Sequence, residues 1–159
     1  MKIFYIIIIF FSQLAYTEEF SLLCEGKRDF RTFNGNEMNI VDFESVLLKI
    51  KKDSMEYIGV NSGRSYFFSN REYTAPKRPP HEDIKITEQY EYSTKKIKAS
   101  QTIADSGNSE ESSISLFSLD VNLLTGELNE TEIIRNKQTN MKSMNNNFQA
   151  LCKREDRSY

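Results

Sequence analysis

Phe117-Ser118-Leu119-Asp120-Val121-Asn122-Leu123-Leu124-Thr125-Gly126-Glu127-Leu128 decides the fold. Phe117, Leu119, Val121 and Leu123 alternate with other positions, the period of two that puts side chains on one face of a pleated strand. Leu123-Leu124-Thr125-Gly126 ends the run, and Gly126 is free to take the positive φ that a tight turn needs. A second strand resumes over residues 127–134. Strands joined this tightly pair antiparallel.

The same period runs outward in both directions. Phe20, Leu22 and Cys24 share one phase, as do Val46, Leu48 and Ile50, and as do Phe148, Ala150 and Cys152. Ile84, Ile86, Tyr90 and Tyr92 hold another phase, interrupted by Glu88, and Ile97, Ala99 and Ile103 follow. β-Branched and aromatic residues suit such positions. Lys51-Lys52-Asp53-Ser54 and Asn61-Ser62-Gly63 supply turn chemistry between runs. Three stretches read as loops: residues 74–81 with all three prolines, residues 104–113, and residues 135–147 with a short helical turn at 141–144. The prediction is one all-β domain over residues 16–159, without internal repeat. Its six to nine short strands form an antiparallel meander closed into a small barrel or curled sheet.

The chain opens Met1-Lys2, followed by the apolar run from Ile3 to Phe11 and then Ser12-Gln13-Leu14-Ala15. One cation, a short apolar core and small residues make a secretory signal over residues 1–15, with cleavage after Ala15 or after Thr17. The run is shorter than the roughly 20 residues of a membrane-spanning helix. Leu23 before Cys24, and the glutamates between it and the apolar run, argue against a lipid anchor. The expected location is therefore exported, periplasmic or secreted, with no stable membrane anchor.

Removing Lys2 takes the formal charge from -2 to -3, which leaves no basic excess for nucleic acid. With 28% charged and 12% aromatic residues, the chain has the composition of a folded domain. In an oxidising compartment, the two cysteines read as one disulfide between Cys24 and Cys152. Both lie in phase with apolar neighbours. The bond would therefore set the first and last strands side by side, as in an up-and-down barrel whose ends meet.

Catalytic chemistry finds no constellation. His81, the lone histidine, sits in the proline-rich loop beside Glu82 and Asp83 with no nucleophile motif. Hydrolase, metalloprotease, phosphate-loop and dinucleotide signatures are absent. Two cysteines and one histidine are too few for a structural zinc site, and no cofactor signature appears. Glu110 and Glu111 read as a loop, and Glu130 with Glu132 as a solvated polar strand face. Lys95, Lys96 and Lys98 read as charges guarding a strand edge. Asn129-Glu130-Thr131 matches a glycosylation sequon.

Cys24-Glu25-Gly26, the segment Asn122-Leu123-Leu124-Thr125-Gly126-Glu127-Leu128 and the closing Cys152 together resemble small exported proteins of Gram-negative bacteria. Those carry a Cys-x-Gly strand, an Asn-Arg-x-Thr-Gly-x-hydrophobic turn and a final cysteine. Leu123 stands where the pattern has arginine. The resemblance implies a periplasmic all-β domain and supplies no activity. Cysteine placement is also similar to that of lipocalin-like barrels, without their Gly-x-Trp signature, since the chain has no tryptophan.

The expected function is a non-catalytic binding module for a small apolar or amphiphilic ligand. Phe67, Phe68, Tyr90 and Tyr92 are the candidate wall residues. The alternative is a cell-envelope interaction protein, an inhibitor or assembly accessory, that works through its loops.

Overall fold

The computed structural model describes residues 19–33, 38–75, 83–105 and 112–155. The leader, the three prolines, His81, Glu110 and Glu111 lie outside the described residues. Ten strands follow one another: β1 (Phe20–Thr32), β2 (Met38–Ile50), β3 (Met55–Gly59), β4 (Ser65–Phe68), β5 (Arg71–Ala75), β6 (Ile84–Tyr92), β7 (Lys96–Asp105), β8 (Ser113–Asn122), β9 (Glu127–Asn136) and β10 (Lys142–Glu155).

All ten join one antiparallel sheet in the order β4-β3-β2-β1-β10-β9-β8-β7-β6-β5. Every chain neighbour is a sheet neighbour except β4 and β5, and the two ends of the chain meet in the middle. The sheet curls into a half-barrel. Its edge β4 lies back against β6 and β7. There Asn70 acts as a clasp: its side chain donates to the Tyr90 carbonyl at 3.0 Å and accepts from the Tyr90 amide at 2.8 Å. One amide side chain thus copies the two bonds a paired strand residue would make.

The predicted disulfide is present. Cys24 and Cys152 are direct cross-strand partners on β1 and β10, with their sulfurs bonded. Closing a loop of 128 residues restricts the unfolded chain by up to about 5 kcal/mol in the chain-entropy picture. Close approach of these strands depends on Gly26, where an added Cβ would overlap the Gln149 carbonyl and come within 2.5 Å of the Ala150 Cα. Gly126 takes φ 76° in the β8–β9 turn, as expected. Its carbonyl accepts from the Cys152 amide at 2.7 Å, which ties that turn to β10.

Two expectations change. The strands number ten rather than six to nine. The segment 135–147 is mostly strand, with a turn at 137–139 and no helical turn at 141–144. Three consecutive asparagines, Asn145 to Asn147, have poor strand propensity. Pairing with β1 on one side and β9 on the other overrides it.

The apolar core occupies the half of the barrel nearest the disulfide, here the lower half. Leu22, Val46, Leu48, Ile50, Met55, Ile97, Val121 and Leu128 fill it. The β3–β4 hairpin folds over its top, where Phe68 stacks on Phe117 at 5.3 Å and Tyr57 meets Phe117 edge-on at 5.9 Å. Such aromatic pairs add to burial through ring geometry.

Candidate functional site

The side chains facing the hollow of the sheet form lateral rows, which the strand register fixes. One row crosses the middle of the barrel from Arg71 to Glu88, Gln101, Phe117, Glu132, Asn146 and Phe30. The next row up runs from Tyr73 to Ile86, Ile103, Ser115, Ile134, Met144 and Thr32. The first is largely polar and the second largely apolar, and this contrast defines the site.

Arg28 anchors the polar layer at 8% exposure. Its position on β1 continues the inward phase of Leu22 and Cys24. The guanidinium lies over the Phe148 ring at 4.7 Å and donates to both carboxylate oxygens of Glu130, at 2.6 and 3.3 Å. It also donates to Glu44, to Asn146 Oδ1 at 3.1 Å and to the Tyr57 hydroxyl at 2.9 Å. Tyr57 in turn donates to Glu130 at 2.7 Å. Asn146 extends the chain by donating to Glu132 at 3.1 Å, and Arg64 closes it with a 3.0 Å bond to the same carboxylate. Ser62 donates to the free oxygen of Glu44 at 2.5 Å, a contact that Gly59 leaves room for.

Burial disfavours the charge on Arg28, yet the hydrogen bond and charge of Glu130 outweigh it and hold its pKa above the ordinary guanidinium value. Burial also pushes the Tyr57 phenol up, with the Glu130 charge adding to the effect. Burying ions costs several kcal/mol each, so the network survives because its lone pairs and protons are matched. Glu44, Glu130 and Glu132 face Arg28 and Arg64, which leaves one carboxylate in excess. Among the described residues no group of three His, Cys, Asp or Glu is placed to hold a metal ion.

A second ionic point closes the gap between β4 and β5. Glu88, buried at 2%, takes Arg71 at 2.5 and 3.1 Å, Gln101 at 3.1 Å and the Tyr73 hydroxyl at 3.3 Å. The Arg71 guanidinium sits between the rings of Phe67 and Tyr73, at 5.2 and 4.9 Å. Cation–π contact and ion pair together fold Arg71 over the gap.

Above this floor, no described strand lies across the apolar row. Ile86, Ile103, Ile134 and Met144 face the hollow yet are all partly exposed. The reason is topological: β3 ends at Gly59 and β4 begins at Ser65, so their hairpin covers the lower half alone. The upper half is a trough with aliphatic walls.

The four wall residues expected from sequence are not gathered in this trough. Phe68 is fully buried in the core, while its neighbour Phe67 is on the other face and 46% exposed. Tyr90 is buried at 3%, with its hydroxyl donating to the Lys51 carbonyl at 2.7 Å. Tyr92 packs near Phe20 at the lower end, with ring centroids 6.3 Å apart. Glu130 and Glu132 share one face, as expected. That face is inward, however, and Glu130 is buried rather than solvated because Arg28 and Tyr57 saturate it. Lys96 and Lys98 are exposed, but β7 lies between β6 and β8, so they guard no strand edge; Lys96 pairs instead with Asp120 at 2.6 Å.

Arg28 and Glu44 were not singled out from sequence. Their signal was parity: each continues the inward phase of its strand. Compared with family models, curated proteins and solved structures, the chain matches none.

Proposed function

We propose that this protein is an exported, non-catalytic binding module that holds a small apolar or amphiphilic ligand in the upper trough of the half-barrel. The observation that carries the reading is the row Ile86, Ile103, Ile134 and Met144, which faces inward without being buried. Aliphatic side chains on a concave, solvent-reached surface gain about 25 cal/mol per Å² when a ligand covers them. Concave sites with few polar groups are the usual form of small-molecule sites. The polar layer beneath gives the trough a floor, so a bound chain meets fixed hydrogen-bonding groups at its inner end.

Export accords with the apolar leader and with the disulfide, which is stable in oxidising compartments. The Cys-x-Gly, Thr-Gly and Cys pattern of small periplasmic proteins points the same way.

The test is native mass spectrometry of protein purified from an oxidising compartment, followed by dodecanol titration of delipidated protein. The reading expects a co-purifying small molecule or one saturable dodecanol site. It also expects Ile103→Glu to weaken binding at least ten-fold, about 1.4 kcal/mol, with the fold retained. Ligand-free protein that binds no dodecanol overturns it.

A further inference from the structure

Strand β2 is covered along half its length. Residues 46–50 pair with β3, but residues 38–44 have β1 as their one strand partner among the described residues. The last contact before the open stretch is a 2.8 Å bond from the Val60 amide to the Ser45 carbonyl, after which the chain turns away through Asn61. That bond fixes the direction of the backbone groups. Alternate residues of an antiparallel strand point them to the same side, so the N–H and C=O of Phe43 and Val41 also face away from β1.

An edge of unpaired backbone is a template for another strand, and proteins guard such edges with charged side chains, proline or a bulge. The charges of this edge are acidic, Asp42 and Glu44, which repel acidic segments and admit basic ones. Residues 38–44 contain no lysine or proline, and their register with β1 is unbroken. Val41 is 60% exposed and Phe43 65% exposed on one face of this edge, with Ile40 at 39% on the other. Between the edge and the Asn61–Arg64 turn lies a cleft of about 480 Å³, with Arg28 and Glu44 at its floor. Asp42 lines it, exposed and without an ion-pair partner among the described residues.

We propose that this edge binds an extended segment of another protein as an added antiparallel strand. Backbone bonds to Val41 and Phe43 supply affinity, and alternate side chains supply specificity. A lysine or arginine of the segment enters the cleft against Asp42, and apolar residues between cover Val41 and Phe43. Two copies of this chain are the poorer occupant. Paired antiparallel through residues 38–44, centred on Val41, they would set Asp42 opposite Ile40, so neither copy would bring a cation to the other's Asp42.

The probe is the peptide acetyl-Thr-Val-Lys-Val-Lys-Val-Thr-amide, followed by amide hydrogen exchange of the full protein in solution. Saturating peptide should slow exchange at Val41 and Phe43 at least ten-fold while leaving the lower core unchanged. Replacing both peptide lysines by glutamate should weaken binding at least ten-fold, about 1.4 kcal/mol. Phe43→Pro removes an edge donor without touching the β1 ladder, and should do the same. No protection at saturation, or equal binding of the acidic peptide, overturns the proposal. Protection that rises with protein concentration alone also overturns it, in favour of self-pairing.

Discussion

Arg28 Nη1 on β1 lies 2.6 Å from Glu130 Oε1 on β9, across 102 positions of chain and with β10 between the two strands. The arginine reaches its partner by lying over Phe148 of the intervening strand. This one pair therefore spans three adjacent strands on the inner face. It separates the packed lower core from the open upper trough.

Removing the cation alone should cost about 3–5 kcal/mol, because Glu44 and Glu130 would remain buried and uncompensated. Urea unfolding of Arg28→Met at neutral pH measures this. Replacing Arg28 with Met together with Glu44 and Glu130 by leucine should recover most of the loss. Equal losses in the single and triple variants would show that the network acts through packing instead.

Parity of the apolar runs made the strand type, the hairpins at Asp53 and Gly126 and the Cys24–Cys152 pairing legible in the sequence. The strand ends and the polar layer were harder to read for one shared reason. Arg28, Glu88, Glu130 and Asn146 occupy inward positions, where a local reading expects apolar side chains. Each is tolerated because a partner on another strand saturates it, and the local period of two along its own strand does not contain that partner. Glu88 was visible as an interruption between Ile86 and Tyr90, and Glu130 lies in phase with Leu128 and Ile134. A charge flanked in phase by apolar residues was the available signal for a buried ion pair.

Space, rather than backbone conformation, should decide the cost of replacing glycines. Gly26→Ala forces β1 and β10 apart beside the disulfide, and thermal unfolding should show a loss of at least about 2–3 kcal/mol. Gly63 has φ 66° and nothing within 4 Å of an added Cβ, so Gly63→Ala should cost about 1 kcal/mol. Similar losses at both sites would remove the close approach at Gly26 from the account.

Stability should fall in base. Burial raises the phenol pKa values of Tyr57, Tyr66 and Tyr90 above their ordinary 10.0. The folded state thus keeps protons that the unfolded chain releases. Their contribution is complete below pH 10 and declines as pH climbs from there toward the folded-state values. For Tyr57 alone the slope approaches about 1.4 kcal/mol per pH unit. Denaturant midpoints between about pH 8 and 11, read beside phenolate absorbance, should drop above pH 10 as the unfolded chain ionises first. A flat profile would contradict the burial of these hydroxyls.

The central claim is that the upper trough holds the ligand while the lower half is filled, and methyl-resolved NMR tests it most directly. Dodecanol titrated into the disulfide-bonded protein should shift the methyls of Ile86, Ile103, Ile134 and Met144 along one saturable curve. Those of Ile50, Ile97 and Leu128 should stay in place. Shifts confined to the lower-core methyls, or no saturable shift anywhere, would contradict the account.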